Sequence, residues 1–221
     1  KEIIKTPNID ALVKNGISFK RAYAQYANCS PSRMSFLTGI SPERLGHKGN
    51  LNEKKEFKNH VTMPGHFKKN GYFTASFGKV YHNINDDKKS WDYIYDVDLN
   101  DDQQIPWECY ALEKNKKLKG FSRPAVEFSE EPIENYNDHK ISVHAIKQLE
   151  KVKDKPFFMA VGFRKPHLPF AAPQKHWDMY KRKELSVTKF NDAPLNGDSI
   201  VYQWSELASY QHYYENYFSI L

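Results

Sequence analysis

The sequence predicts an α/β fold: a mostly parallel sheet flanked by helices. Three observations carry that expectation. Segments with helix start and stop signals alternate with short β-rich segments, the repeating unit of such folds. Residues Phe157 to Phe163 form a continuous apolar run, as in a strand covered on both faces. Finally, a cation or histidine sits just past the end of a strand or loop in three places: Cys29 with Arg33, Lys79 with His82, and His167. In open parallel sheets the carboxyl ends of the strands share one edge, where ligands bind. These residues, distant in sequence, are therefore expected to converge.

The first segment, Thr6 to Gly16, reads as a short helix capped by Thr6, opened by Pro7 and stopped by Gly16, with Ile9, Leu12 and Val13 as its buried stripe. Ile17 to Tyr23 reads as a strand. Asn28 to Gly39 then reads as a helix with a reactive residue at its mouth. Ser30 suits the N-cap, Pro31 the first helical position and Gly39 the C-terminal stop. That places Cys29 before the first turn, where unpaired N–H groups and the helix dipole favour an anion, and Arg33 one turn further on. A buried structural cysteine ahead of an ordinary helix fits the same residues.

Ser41 to Asn59 is polar and reads as a long loop. Thr62-Met63-Pro64 opens a helix that Asn70-Gly71 closes, and Tyr72 to Phe77 is a strand whose exit is Gly78-Lys79-Val80-Tyr81-His82. Residues 83–132 show no sustained period and read as an irregular insertion with one hairpin. Asp96-x-Asp98-x-Asn100 resembles the start of a calcium loop, but Asp101 stands where glycine is needed and Trp107 where glutamate is needed. Asn137 to Lys153 is the clearest helix, with Ile141, Ala145, Ile146 and Leu149 at helical spacing. The apolar strand follows, and its exit is Arg164-Lys165-Pro166-His167-Leu168-Pro169-Phe170. Trp177 to Lys181 reads as a helical turn. Pro194 and Asn196-Gly197 read as turns, and Tyr202 to Leu221 has an ambiguous period.

Composition limits the function classes. With 221 residues, 39% of them hydrophobic, the chain can bury one sizeable core and reads as a single domain or part of a larger one. No apolar run reaches the roughly 20 residues of a membrane span. No signal-peptide pattern opens the chain; because it starts at Lys1, that leaves export open. The net charge of +6 comes with no nucleic-acid motif, so the dense run Lys114 to Lys119 reads as a solvated loop. Two cysteines are too few for a disulfide framework, and Cys109, between Trp107 and Tyr110, reads as a buried thiol.

Cys29-Ser30-Pro31-Ser32-Arg33 followed by Leu37-Thr38-Gly39 resembles the signature of the type I sulfatases, members of the alkaline-phosphatase-like superfamily. Gly71-Tyr72-Phe73-Thr74 leading to Gly78-Lys79 and His82 is similar to the family's second signature, with Phe77 where a smaller aliphatic residue is usual. Lys165-Pro166-His167-Leu168-Pro169-Phe170 resembles an element of the iduronate-2-sulfatase and choline-sulfatase branch, and Thr6 to Asp10 resembles the helix before the first signature. The four matches stand in family order. They cover about 5–40, 62–82 and 155–180, and they leave 83–135 as an insertion on one catalytic-domain segment spanning 1–221.

The resemblance implies hydrolysis of a sulfate monoester, on a sulfated sugar such as a uronate 2-sulfate or on a small alcohol sulfate. A sulfate monoester shields its sulfur with negative oxygens, so attack needs a positioned nucleophile and positive charge on those oxygens. By the match, Cys29 is oxidised by a formylglycine-generating or anaerobic maturase and becomes nucleophile and metal ligand. Arg33 holds it and neutralises charge, Lys79 contacts sulfate, and His82 is the base. His167 contacts sulfate and helps protonate the leaving oxygen. Calcium is the implied cofactor. The family's two adjacent aspartates before the Thr-Pro-Asn helix, and its later Asp-His or Asp-Asn pair, have no counterpart in the sequence; Asp86-Asp87 and Asp101-Asp102 follow no strand. The chain therefore reads as an internal segment, incomplete at both ends, inactive alone and drawn from an exported or lysosomal enzyme. Asn28-Cys29-Ser30 is also a glycosylation sequon; a glycan there would obstruct the site, and the match reads as coincidence. A phosphodiesterase or phosphonate hydrolase of the same superfamily, or a truncated chain that only binds anions, are the alternatives.

Overall fold

The computed structural model describes residues 4–45, 59–82, 86–97, 110–118, 124, 126–167 and 169–181. Its centre is a three-stranded parallel sheet of β1 (Phe73–Gly78), β2 (Tyr93–Tyr95) and β4 (Phe157–Gly162), in the order β2-β1-β4. Phe73 pairs with Phe157 at one end of the β1–β4 ladder and Gly78 with Gly162 at the other, so both strands leave the sheet side by side.

Side chains alternate across a strand, so each face of this sheet has its own partner. Ala75 and Phe77, with Phe73 and Met159 beside them, pack with Ile141 and Ala145 of α6 (Asn137–Val152). On the opposite face Phe158 and Ala160 meet Met34 and Leu37 of α2 (Cys29–Thr38), Leu45 of α3 (Pro42–Leu45), and Val80, Tyr81 and Trp91. Phe158 also stacks on Phe67 of α4 (Met63–Lys69), centroids 4.4 Å apart. The apolar run in β4 was expected to be buried on both faces, but among the described residues it is an edge strand, half-buried with Val161 exposed. The more deeply buried strand is β1, buried from Thr74 to Gly78, whose Thr74 and Ser76 made it look less apolar. Thr74 is tolerated there because its hydroxyl donates to the Ser90 carbonyl at 2.9 Å.

Three further expectations change. The Thr6 helix forms as α1 (Pro7–Lys14), but its stripe is exposed: Ile9 57%, Leu12 75% and Val13 40%. Ile17 to Tyr23 is not a strand, because no described strand lies beside it to take its backbone hydrogen bonds. In α6, Ile141 and Ala145 are buried while Ile146 and Leu149 lie outside the contact and are exposed.

The stretch expected to be irregular is more ordered than its composition suggests. It contains β2, α5 (Glu113–Lys116) and β3 (Val126–Ser129). No hairpin forms among its described residues: β2 pairs parallel with β1, and β3 pairs parallel with β5 (Phe170–Pro173). The buried carboxylate of Glu127 accepts from the amides of Ala111 and Leu112 and from Asn115 Nδ2, tying α5 to β3. Lys114 and Lys116, read as loop residues, thus lie on a short helix, where Lys116 pairs with Glu113. The last described helix, α7 (Gln174–Trp177), starts earlier than the expected turn. No helix among the described residues is long and apolar enough to cross a membrane. The expectations for Cys109, Asp98, Asn100, the Asp101-Asp102 pair, Pro194, Asn196-Gly197 and Tyr202 to Leu221 lie outside the described residues.

Asp92 fastens the start of β2. Its Oδ2 accepts from the Thr74 amide at 3.0 Å and from the Thr74 hydroxyl at 3.1 Å, and Lys68 Nζ lies 2.9 Å from Oδ1. Burial pushes this carboxyl up, but the Thr74 bonds and Lys68 outweigh it and hold it below the usual carboxylate range. The folded-state pKa is thus depressed. The stabilisation is complete above the ordinary aspartate value of about 4 and is lost as pH falls through the lower folded value. Asp92→Asn should cost about 1 kcal/mol at neutral pH, a modest figure because the group is partly exposed and screened. In urea titrations the gap between variant and wild type should close as pH drops below about 4.

Candidate active site

The carboxyl end of the central sheet gathers the predicted residues. Cys29 is the first residue of α2, not the residue before it, because the N-cap is Asn28 and not Ser30: the Asn28 side chain accepts from the Ser30 amide at 3.2 Å. Asparagine ranks with serine as an N-cap and the extended backbone of Asn28 suits it, so the helix begins two residues early and Pro31 falls inside the first turn. Gly39 ends the helix as expected, in the left-handed region at φ 71°. The sequon asparagine is therefore engaged in capping.

Cys29 is a free thiol, and its Sγ lies 3.2 Å from Nδ1 of His82. Arg33, one turn along α2, donates through Nη1 to the carbonyls of Lys79 at 2.7 Å and Val80 at 2.9 Å. In this arrangement Arg33 clamps the exit of β1 onto α2. Burial lowers its pKa and Cys29 pushes it back up; as a guanidinium it remains a cation. Lys79 is buried and is the first residue beyond β1. Burial lowers the His82 pKa, and the positive charges of Lys79, Arg33 and His167 lower it further. Its imidazole is accordingly held in the neutral form near pH 7. His167, exposed in the turn after β4, is close enough to act electrostatically on His82.

Two glycines make the exits compatible. The Lys79 amide donates to the Gly162 carbonyl at 2.8 Å, which continues the β1–β4 ladder past its last pair. A Cβ on Gly162 would press into the Lys79 carbonyl group and come within 2.9 Å of the Val80 nitrogen. Gly78 adopts φ +64°, and a Cβ there would meet Ile141 Cδ1 at 2.6 Å. Gly162 was not among the residues singled out from sequence; its signal was a lone glycine at the end of an apolar run, which marks close backbone approach.

Tyr81 was also missed. It points away from the cluster into a polar knot, donating to Asp87 Oδ2 at 2.9 Å, while Thr62 donates to the same carboxylate and Ser90 Oγ to Oδ1 at 2.7 Å. Burial and the Asp87 carboxylate hold the Tyr81 phenol well above its ordinary value, so it stays a donor. Asp87, one of the adjacent pair Asp86-Asp87, is thereby committed to structure. Asp96, the first residue of the discarded calcium loop, pairs with Arg164.

The chain matches the sulfatase family model over residues 1–219. It belongs to the sulfatase family. Mouse iduronate 2-sulfatase is 32% identical over 217 residues, which cover 93% of this chain and 39% of that protein. A choline-sulfatase of Rhizobium meliloti is 24% identical over 209 residues, covering 88% of this chain and 40% of its own length. The chain thus spans about two fifths of the length of these relatives. Among solved structures, a phosphonate monoester hydrolase of Agrobacterium radiobacter superposes with a TM-score of 0.57 at 19% identity, covering 84% of this chain and 41% of that one. The fold of this sulfatase chain is therefore alkaline-phosphatase-like, as the motifs implied.

Gly162→Ala should displace the Lys79–Val80 exit from Arg33. The overpacking should lower stability by about 1–3 kcal/mol in urea unfolding.

Proposed function

We propose that this chain carries the nucleophile and the anion-facing cations of a sulfuric ester hydrolase acting on a sulfate monoester of a sugar or small alcohol. The observation that carries the reading is the 3.2 Å approach of Cys29 Sγ to His82 Nδ1, with Arg33 bound to the backbone that presents Lys79. A thiol against a neutral imidazole, ringed by cations, suits a site where a multiply charged anion is attacked. The 221 residues read as one catalytic-domain segment with an insertion at about 83–135.

Conversion of Cys29 to formylglycine by a maturase would supply a hydrated aldehyde, one hydroxyl to attack sulfur and a second whose deprotonation expels sulfate. The side chains of this chain do the rest. Lys79 and His167 bind the sulfate oxygens and offset the charge that builds on them. Arg33 fixes the Lys79 exit and adds positive charge beside residue 29. His82, neutral and already within hydrogen-bond distance of residue 29, takes up the proton in the release step. His167 stands where it can protonate the departing alcohol oxygen.

Calcium is implied by the family, and it requires six to eight oxygen ligands. Among the described residues no group of three or more His, Cys, Asp or Glu is arranged to hold a metal ion, and the cluster around residue 29 offers sulfur, imidazoles and cations. The described residues do not fit that ion, and the proposed steps run through side chains of the chain alone. Export to the periplasm, cell exterior or lysosome suits an enzyme for sulfated carbohydrate and is part of this proposal.

Two measurements test it on protein expressed from the complete reading frame. The peptide bearing Cys29 should be about 18 Da lighter than its sequence mass, whereas ordinary thiol oxidation adds mass. Sulfate monoesters should turn over faster than phosphodiesters or phosphonate monoesters, and His82→Ala should lower kcat by about 10²–10⁴. An unmodified thiol in an active preparation, or phosphodiester cleavage with negligible sulfatase activity, would overturn it.

A further inference from the structure

The turn that presents His167 is held by a group outside the reacting cluster. After β4 ends at Gly162 the chain turns through Arg164, and the His167 amide donates back to the Arg164 carbonyl at 2.9 Å. Asp138, in the first turn of α6, grips the base of that turn. The Arg164 amide donates to its Oδ1 at 2.8 Å and the Lys165 amide to its Oδ2 at 3.1 Å. Two successive amides on the two oxygens of one carboxylate fix orientation as well as position.

The pattern differs from ordinary helix capping. A capping carboxylate satisfies amides of its own helix, but both oxygens of Asp138 reach residues 26 and 27 positions away. Its own support is firm, because α6 is anchored by fully buried Ile141. The other side of the turn is braced as well: Arg164 Nη2 pairs with Asp96 Oδ1 at 2.8 Å, both side chains buried. Lys165 Nζ folds back onto the turn, donating to the Pro169 carbonyl and, at 3.5 Å, to that of His167. His167 itself is exposed.

We propose that Asp138 is a positioning residue for His167, holding the Arg164–His167 turn at the distance from α2 that sulfate binding requires. This rests on the proposed function, in which His167 faces the sulfate. A misplacement of about 1 Å in such a group is enough to cost up to 10²-fold in rate.

The test is a double-mutant cycle on protein from the complete reading frame, with whichever sulfate monoester that protein turns over. Asp138→Asn keeps the shape but weakens the double acceptance; it should lower kcat/KM by about 10- to 100-fold. In a His167→Ala background the same change should cost less than about 2-fold, because the residue it positions is gone. Equal losses in both backgrounds mean a merely structural role and overturn the inference, as does a silent Asp138→Asn beside a costly His167→Ala. A silent His167→Ala overturns the proposed role of His167 and the inference with it. Hydrogen exchange on the wild type supplies a check that needs no variant. The Arg164 and Lys165 amides should exchange as slowly as those of β4, and fast exchange would contradict the bonds to Asp138.

Discussion

The close passage of two strand exits at Gly78 and Gly162 governs the rest of this structure. They are the last register pair of the β1–β4 ladder, and the Lys79 amide carries the ladder one bond further by donating to Gly162. Neither position has room for a Cβ, and Gly78 also needs positive φ. Because the backbones pass this tightly, the chain after β1 turns across the sheet edge towards α2. There the Lys79 and Val80 carbonyls meet Arg33, and His82 reaches Cys29. The chain after β4 starts from the same point and carries His167. A looser passage would move His82 and His167 apart.

Polar groups then divide the labour. The cluster around residue 29 gathers cations against one another, an arrangement that is costly until an anion enters. Carboxylates are set back from it and spent on architecture: Asp87 under Tyr81, Asp92 at the start of β2, Asp96 on Arg164 and Asp138 on the turn amides. Each of these grips backbone or a neighbouring side chain. The mild basic excess of the chain acts in the same direction, drawing anions in.

Much of this was readable in the sequence, and what was not has identifiable causes. The family was legible because its motifs are specific, and so was the approach of Cys29 to His82 and of Arg33 to the Lys79 backbone. The parallel sheet was legible from helix–strand alternation. The exposed stripe of Ile9, Leu12 and Val13 and the absent strand at Ile17–Tyr23 were misread because periodicity reports what a segment can bury, not what lies against it. The strand at Tyr72 to Phe77 was read as such, but Thr74 and Ser76 hid that it is the more deeply buried one, since a hydroxyl satisfied inside a sheet looks polar in sequence. The Asn28 cap was mistaken for Ser30 because both residues are good caps two positions apart. Asp87 and Asp138 could not be found from sequence at all. Asp87 meets Tyr81 and Thr62 from 6 and 25 residues away, with only Ser90 nearby at three residues, and the partners of Asp138 lie 26 and 27 residues away.

The central claim is that three chain segments, the start of α2 and the exits of β1 and β4, meet around one anion. A crystal structure of the protein with a bound sulfate-ester analogue tests it most directly. The sulfate group should lie within hydrogen-bond distance of the Lys79 ammonium and the His167 imidazole, beside residue 29 and His82. A sulfate group seated away from residue 29, or His167 turned from it with the Arg164–His167 turn intact, would contradict the claim.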